Sequence, residues 1–161
     1  MSIEKVRAYF RQFSMEDRIL EFPVSSATVE LAAVAVGCAP QRIAKTLSFM
    51  VGEKPVLIVA AGDAKVDNPK YKAQFSQKAK MLSFDQAAEL IGHAVGGVCP
   101  FAVNDGVTVY LDESLKRFET VFPACGEANN AIELSPKELF EVSGAREWID
   151  VCKLPGDDPA F

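Results

Sequence analysis

The sequence predicts a mixed α/β (α+β) fold, in which helices flank a central, mostly antiparallel mixed sheet or partial barrel. Residues 43–51 alternate like a half-buried strand, and residues 55–61 form a continuously apolar partner strand. Short helical patterns precede and follow this pair. Because most connections are too short for parallel crossovers, we expect largely antiparallel pairing.

The composition is that of one globular domain. Of the 161 residues, 49% are hydrophobic and 24% are charged. We therefore expect a single domain over residues 1–155, followed by a frayed tail at residues 156–161. No apolar run approaches the roughly 20 residues of a membrane helix, and the N-terminus does not resemble a signal peptide. We expect a cytoplasmic protein with no membrane partner.

Charge and cysteine spacing limit the partners and cofactors. A net charge of −5 argues against binding to DNA or other long nucleic acid through phosphates, although contact with one nucleic-acid end stays open. The four cysteines are widely spaced and His93 is the sole histidine, so no zinc-site spacing is present. We expect no metal and no other cofactor.

The first 37 residues predict two helices and a short strand. Apolar residues at helical spacing indicate a helix over residues 3–13, residues 19–22 resemble a strand, and residues 28–36 form a second helix. Ser25 and Ser26 are candidate N-caps of this second helix, and Gly37 ends it.

The central hairpin follows a predicted helical turn at residues 40–42. Residues 65–80 are then rich in lysine, which indicates a solvated face or, alternatively, a local phosphate-contact patch. Ser83 is a candidate cap for a helix over residues 85–91.

The C-terminal part predicts further strands and one helix. The strands are expected at residues 107–111, 118–122 and 131–134. Ser135, Pro136 and Glu138 stand in N-cap, N1 and N3 order and open a helix that Gly144 ends.

Lys45 interrupts the apolar face of the first hairpin strand. Side chains alternate along a strand, so Lys45 shares a face with Ile43, Leu47 and Phe49. An ammonium there reaches solvent at the strand end, pairs with a carboxylate, or is held over a cavity that a ligand fills.

Several reaction classes lack their motifs. The chain has no GxGxxG, no Walker loop and no GxSxG elbow. A Ser-His-Asp or Cys-His system would need His93, which follows a helix-ending glycine and is better explained as a satisfied or solvent-facing histidine. Lys45, two glycine loops and Asp63 remain, and together they would suit an oxygen that gains negative charge.

An ordered series of motifs extends from about Phe22 to Gly144. It comprises S-x-T-V-x-x-A from Ser26, I-x-K-T-L from Ile43, G-D at Gly62, G-H-x-x-G-G-x-x-P-F from Gly92, F-P-A-C-G from Phe122 and I-E-L from Ile132. This combination resembles the YbaK family, the freestanding relatives of the editing domain inserted in bacterial prolyl-tRNA synthetases.

The resemblance implies a YbaK-like fold and trans-editing hydrolysis of mischarged aminoacyl-tRNA. The expected substrate is tRNA(Pro) that carries a small non-cognate amino acid such as Ala, Cys or Ser. The implied partners are the aminoacyl-tRNA acceptor end and, as a further candidate, prolyl-tRNA synthetase. Two rival hypotheses are a non-catalytic nucleotide/aminoacyl-binding or synthetase-docking module, and hydrolysis of a small aminoacyl ester unrelated to tRNA.

The resemblance also assigns roles to residues. Lys45 matches the family's essential lysine and would hold and polarise the ester end of the substrate. The backbone N–H groups around Gly97 and Val98 would bind the aminoacyl carbonyl or the developing oxyanion. With no obvious nucleophile, water or a group on the substrate would attack. Expected substrate-binding residues are Phe22, Thr46, Asp63, Gly96, Cys99, Pro100, Phe101, Ala124, Cys125 and Gly126.

The sequence departs from common family patterns at three places. Ala102 stands where many relatives have glycine, and Ala124-Cys125-Gly126 replaces the Ser-Gly-Gly of the cysteine-specific branch. Thr46 resembles that branch, whereas the alanine-editing branch commonly has asparagine after the lysine. These conflicting signals leave the removed amino acid open.

Overall fold

The computed structural model describes residues 2–93 and 97–155. Gly96 and the predicted tail at residues 156–161 lie outside the described residues. The helices are α1 (Ser2–Arg11), α2 (Val29–Val36), α3 (Asn68–Phe75), α4 (Phe84–Gln86) and α5 (Pro136–Ser143). The strands are β1 (Ile19–Glu21), β2 (Ile43–Val51), β3 (Lys54–Ala61), β4 (Lys65–Val66), β5 (Thr108–Asp112), β6 (Phe122–Pro123), β7 (Asn130–Ile132), β8 (Glu147–Ile149) and β9 (Cys152–Lys153).

The mixed α/β fold is confirmed, and its main sheet has five strands in the order β6-β2-β3-β5-β8. The sheet curls into a half-barrel. The strand directions differ from the prediction: β2 and β3 are antiparallel, but β2–β6, β3–β5 and β5–β8 are parallel. The expectation of largely antiparallel pairing is therefore wrong for this sheet. Long connections, such as residues 62–107 between β3 and β5, provide the crossovers that parallel pairing needs.

The predicted hairpin of β2 and β3 forms the centre of the sheet. β3 lies between β2 and β5, and its residues from Val56 to Ala61 are buried, which confirms a strand covered on both faces. The register pairs Lys45 with Ala60 and Phe49 with Val56. The sheet thus fixes where Lys45 leaves its strand.

Helix α2 packs over a small apolar cluster beside the main core. Ala32 and Ala33 of this helix contact Ile43, Phe122 and Ala131. The helix begins after Thr28, whose hydroxyl accepts the Leu31 N–H, and not after Ser25 or Ser26 as predicted. The later cap leaves Ser26 outside the helix. The small alanine side chains of α2 allow the helix to pack close to the ends of β2 and β6.

Some predicted elements have different bounds. The strand expected at residues 118–122 is reduced to β6 and an isolated bridge between Val121 and Leu134, and a 3-10 helix occupies residues 113–117 ahead of it. The helix expected over residues 85–91 is α4 followed by a π-helical turn, Ala87–Ile91. The sequence patterns did not predict β8 and β9.

Ala102 adopts a left-handed backbone conformation with φ of 53°. Glycine reaches this region without steric cost, whereas a Cβ atom is disfavoured there. The alanine at this position therefore carries a steric cost that glycine would not have.

Helix α5 has the predicted capping box, and one of its residues also forms an ion pair. The Ser135 hydroxyl accepts the Glu138 N–H, and the Glu138 carboxylate accepts the Ser135 N–H. The same carboxylate accepts two hydrogen bonds from Arg18, at 2.8 and 3.1 Å. Hydrogen bonding by Arg18, together with the cap, lowers the pKa of Glu138 from 4.5 to about 2.

We expect Glu138→Gln to lower the free energy of unfolding by about 1 kcal/mol at neutral pH, because glutamine keeps the cap but loses the ion pair. Since the folded-state pKa is lowered, the ionised carboxylate stabilises the fold above pH 4.5, and this contribution disappears as the pH falls toward about 2. Urea unfolding across this range measures the difference. Glu141→Gln, at an exposed position on the same helix, is the control; a wild-type advantage that persists unchanged in acid would contradict the assignment.

Candidate active site

A cavity of about 150 Å³ lies between the start of α2 and the ends of β2, β6 and β7. Four residues predicted for the site line it, namely Lys45, Thr46, Val98 and Ala124. The wall also contains residues absent from the predicted site, among them Ser26, Thr28, Val29, Phe122, Asn130 and Ala131. The structure therefore brings the lysine strand, the loop after Gly97 and the loop before Gly126 to one place.

Lys45 is half-buried and is held by backbone carbonyls. Its ammonium donates a hydrogen bond to the carbonyl of Ala64 and lies 3.5 Å from the carbonyl oxygen of Gly62. Burial lowers the pKa of Lys45 from its ordinary value of 10.5, and the nearby Asp63 charge opposes this effect. Lys45 thus extends from strand β2, and it forms part of the cavity wall.

Asp63 directly follows Gly62, whose carbonyl oxygen lies near the Lys45 ammonium, but its carboxylate pairs with another residue. Its carboxylate forms a two-point ion pair with Arg117, with N–O distances of 2.5 and 3.1 Å. Asp63 does not line the cavity. Lys45 forms no salt bridge with any residue that the structure describes. Among the described residues, its positive charge is therefore stabilised directly by carbonyl dipoles and not by a carboxylate.

Gly62 allows the close backbone approach that holds Lys45. A Cβ atom at this position would overlap the carbonyl oxygen of Pro40 and lie 2.8 Å from a Val29 methyl group. Only glycine fits here without a steric clash. The turn after β3 can therefore pack directly against α2 and the turn at Pro40. The carbonyls that hold Lys45 are positioned by this packing.

Two hydroxyl groups of the cavity wall lack hydrogen-bond partners. Ser26 Oγ and Thr46 Oγ1 are both buried, and neither bonds to any part of the described chain. A buried hydroxyl without a partner costs about 1–3 kcal/mol. Such groups at a concave site are available for a ligand or for water.

The two glycine-containing loops are in direct contact. A Cβ atom on Gly97 would overlap the carbonyl group of Gly126 and lie 2.8 Å from the Glu127 nitrogen. Asn130 fixes the other side of the second loop, because its Oδ1 accepts the Cys125 N–H at 2.8 Å. Asn130 is 1% exposed, and the sequence signal that could have identified it is the polar Asn-Asn pair directly before an apolar strand.

Several predicted substrate-binding residues lie beside the cavity and not in its wall. Pro100, Phe101 and Cys125 are buried, with the Phe101 ring 4.6 Å from that of Phe10. Phe22 packs against the small cluster under α2. These side chains pack in the interior and do not line the cavity.

Cys99 and His93 lie close together in the core. Cys99 Sγ lies 3.6 Å from His93 Nε2, which donates to the Phe101 carbonyl at 2.7 Å. Burial raises the pKa of the Cys99 thiol to about 12 and lowers that of His93. Both groups are neutral near pH 7 and belong to the core, so neither supplies a nucleophile. Burial likewise raises the pKa of Cys125.

The lysine-rich stretch at residues 65–80 is partly structural. Lys70 bonds to the Asp150 carboxylate at 3.0 Å and to the Cys152 carbonyl at 2.9 Å. The other lysines of the stretch are exposed, namely Lys65, Lys72, Lys78 and Lys80. The choice between a solvated face and a phosphate-contact patch stays a prediction.

Residues 2–93 and 97–155 contain neither a metal-ligand cluster nor a membrane-spanning helix. No group of three or more His, Cys, Asp or Glu side chains is arranged there to hold a metal ion. Among these residues, no helix has the length and apolar character to cross a membrane.

Comparison with known proteins shows which family the chain resembles. The family model described as "Aminoacyl-tRNA editing domain" matches residues 24–142. The uncharacterized protein YwhH of Bacillus subtilis (strain 168) is 56% identical over 154 residues, which cover 95% of this chain and 98% of YwhH.

More distant similarities concern proline--tRNA ligases and a solved structure. The enzyme of Geobacillus sp. (strain WCH70) is 26% identical over 83% of this chain, which corresponds to 23% of the ligase. A crystal structure described as a candidate trans-editing enzyme for prolyl tRNA synthetase has a TM-score of 0.85 and 28% identity, covering 94% of this chain and 97% of the other.

Proposed function

Because the chain belongs to the aminoacyl-tRNA editing domain family, we propose that it is a trans-acting deacylase of mischarged aminoacyl-tRNA. The proposed substrate is tRNA(Pro) that carries a small non-cognate amino acid. The observation that carries the proposal is the shared cavity of Lys45, Thr46 and Val98, with an ammonium and an unpartnered hydroxyl in its wall. The similarity to a candidate trans-editing enzyme supports this choice.

Lys45 serves as an electrostatic anchor for the aminoacylated end. Its ammonium is fixed by backbone carbonyls and has no carboxylate partner among the described residues, so a negatively polarised oxygen of the substrate can approach it. A positioned cation in a partly desolvated site stabilises developing negative charge more strongly than one in water.

The loop at Gly97 and Val98 supplies the second set of donors. Neither N–H group donates a hydrogen bond to any residue described in the structure. Backbone donors that are fixed and unpaired near a cavity suit the oxyanion of a tetrahedral intermediate. The contact between Gly97 and Gly126 holds this loop in position.

The proposed reaction uses no protein nucleophile. The oxygen of water adds to the ester carbonyl carbon and loses a proton, which gives a tetrahedral intermediate. The bond between this carbon and the ribose oxygen then breaks and the ribose oxygen takes up a proton, so that the free amino acid and uncharged tRNA are released. In the alternative route, a free hydroxyl of the terminal ribose first attacks the same carbon and receives the acyl group, and water then hydrolyses the new ester by the same steps. The neutral, buried Cys99 and His93 support a mechanism without a thiolate.

Cavity size supports a small amino acid. Its volume is about 150 Å³ and its wall includes Ala32, Ala124 and Ala131. An apolar pocket distinguishes one methylene by only about 1–3 kcal/mol, so Ala, Cys and Ser are all candidates. A deacylation panel of tRNA(Pro) charged with each of them ranks these substrates directly.

The same panel tests the rival functions. A binding module would bind aminoacyl-tRNA without accelerating ester hydrolysis, and an esterase unrelated to tRNA would act on small aminoacyl esters but not on charged tRNA. The acceptor end is the proposed partner, with prolyl-tRNA synthetase as a second. A tRNA substrate also makes the cytoplasm the proposed location.

We expect Lys45→Ala to lower kcat/KM for deacylation by about 100-fold, which is the cost of losing one fixed electrostatic group. Lys137→Ala, at an exposed lysine on α5, is the matched control. Because burial lowers the pKa of Lys45, deprotonation of the ammonium begins at a lower pH than for an ordinary lysine, whose pKa is 10.5. The rate above spontaneous hydrolysis should fall as the pH rises through this lowered pKa, and Lys45→Arg should shift the fall upward.

Hydrolysis of mischarged tRNA by Lys45→Ala at the wild-type rate would refute the anchor role. A rate that rises through the same pH range in parallel with spontaneous hydrolysis would also refute it, since a cation would then contribute nothing.

We expect Thr46→Val to reduce kcat/KM about tenfold while leaving the free energy of unfolding unchanged or up to about 1 kcal/mol higher. Valine has nearly the same shape but removes a buried hydroxyl that has no partner in the free protein. Urea unfolding and deacylation kinetics measure the two effects, and Thr46→Ser is the control that keeps the hydroxyl. Lower stability together with unchanged kcat/KM would show that Thr46 is purely structural.

A further inference from the structure

Asp63 belongs to the same turn as the carbonyls that hold Lys45. Its two neighbours in the chain are Gly62 and Ala64, whose carbonyl oxygens approach the Lys45 ammonium. Burial lowers the pKa of Lys45, and the negative charge of Asp63 raises it. The carboxylate is therefore close enough to interact with the ammonium, yet both of its oxygens accept hydrogen bonds from Arg117.

Arg117 is itself fixed at the end of the 3-10 helix Glu113–Arg117. Its Nε donates to the Ser114 carbonyl at 2.9 Å, and its guanidinium lies 4.7 Å from the centroid of the Phe118 ring. Its two terminal nitrogens are then left for the two oxygens of Asp63. This two-point contact of planar groups fixes orientation as well as distance. Arg117 therefore determines the direction in which the Asp63 carboxylate points.

The same 3-10 helix also holds the backbone at the end of β3. The Ser114 hydroxyl accepts the Ala61 N–H at 3.1 Å, and Ser114 is buried. The contact between Ser114 and Ala61 does not depend on the arginine side chain. Replacement of Arg117 is therefore expected to free the Asp63 side chain while the turn keeps its backbone support.

Asp63 is the carboxylate best placed to compete for the Lys45 ammonium. Besides Asp63, the titratable groups that influence Lys45 are Cys152, Lys65 and Glu30. Burial raises the pKa of the Cys152 thiol to about 12, so the thiol is neutral where Lys45, with a pKa below 10.5, loses its proton. Lys65 repels the ammonium, and Glu30, an exposed residue of α2, influences it less than Asp63 does.

We propose that Arg117 is a positioning residue of the candidate site, which holds the Asp63 carboxylate away from Lys45 and so keeps the ammonium available to the substrate. This inference rests on the proposed deacylase function. Without Arg117, the Asp63 side chain, only 18% exposed, would be a carboxylate without its cation. Lys45 is the adjacent cation that would replace the arginine. A direct ion pair would then compete with the substrate oxygen for the ammonium.

The pKa of Lys45, measured by NMR of its side chain in the free protein, tests this role without any substrate. We expect Arg117→Ala to raise the pKa of Lys45 by about 1, because a neighbouring carboxylate favours the ammonium. Arg117→Ala/Asp63→Asn removes that carboxylate and should return the pKa to the wild-type value or below it. The spectrum of Lys45→Arg, which lacks the signal, assigns it.

Deacylation kinetics test the consequence for the site. We expect Arg117→Ala to lower kcat/KM about tenfold, since a carboxylate that raises the pKa of Lys45 by about 1 holds the ammonium with a tenfold equilibrium advantage that the substrate must overcome. The fall of the rate at alkaline pH should also move to higher pH. Arg117→Lys keeps a cation for Asp63 and should restore most of the rate. Lys116→Ala, which removes a cation and an ion pair with Glu113 from the same 3-10 helix, is the matched control.

Charge compensation distinguishes the role of Asp63 from a change in net charge. Arg117→Ala/Asp63→Asn should recover most of kcat/KM, because the competing carboxylate is gone. Arg117→Ala/Glu119→Gln has the same net charge but keeps Asp63, and it should stay impaired; Glu119 is exposed. Urea unfolding shows whether each variant is folded, and Arg117→Gln, which keeps a neutral donor, is the second variant with the same expected direction.

The outcomes separate this inference from the proposed function. If Arg117→Ala raises the pKa of Lys45 and Asp63→Asn reverses the rise, but the wild type deacylates no tRNA, the role of Arg117 in holding Asp63 stands and the deacylase function fails. If the wild type deacylates tRNA while Arg117→Ala changes neither the pKa of Lys45 nor kcat/KM, the inference is overturned. Equal values of kcat/KM in the two double variants would also overturn it, since Asp63 would then have no specific effect.

Discussion

The half-buried ammonium of Lys45 is the constraint on which the candidate site depends. Burial disfavours its charge, yet two backbone carbonyls hold it and Asp63 is engaged by Arg117. A direct carboxylate partner would neutralise the cation and occupy its approach. The carbonyl arrangement instead keeps an ammonium at the cavity and requires the tight turn at Gly62, which packs against the Pro40 turn and α2. The position of the Lys45 ammonium thus depends on strand β2, the turn at Gly62 and helix α2 together.

The rest of the site is built by close contact between two loops. Gly97 lies against the Gly126 carbonyl, and Asn130 holds the Cys125 backbone from the other side. Buried side chains such as Phe101 support these loops without reaching the cavity. The wall itself is therefore mostly small residues, backbone and hydroxyls. This division explains how one small cavity can have fixed donors without a catalytic thiol or imidazole.

Local patterns predicted the features that depend on neighbouring residues. The hairpin, the capping box at Ser135 and the exceptional position of Lys45 all follow from side-chain alternation or cap chemistry. Long-range features were not predictable in this way: parallel pairing of β3 with β5 depends on a long crossover, and the ion pair of Asp63 joins residues 54 positions apart. The family resemblance placed Cys99 and Cys125 among the substrate-binding residues, with a buried structural thiol as the alternative for Cys125. The structure buries both side chains, and this burial depends on packing between distant segments that the sequence pattern does not contain.

In the proposed mechanism, Lys45 and the Gly97 loop bind the aminoacylated end of the substrate. A crystal structure with a non-hydrolysable 3′-alanylamido-3′-deoxyadenosine tests it most directly. We predict that the amide carbonyl oxygen lies about 2.7–3.2 Å from an N–H of Gly97 or Val98, with the Lys45 ammonium turned from the Ala64 carbonyl toward the ligand. A ligand bound outside the cavity, with Lys45 still bonded to Ala64, would contradict the account.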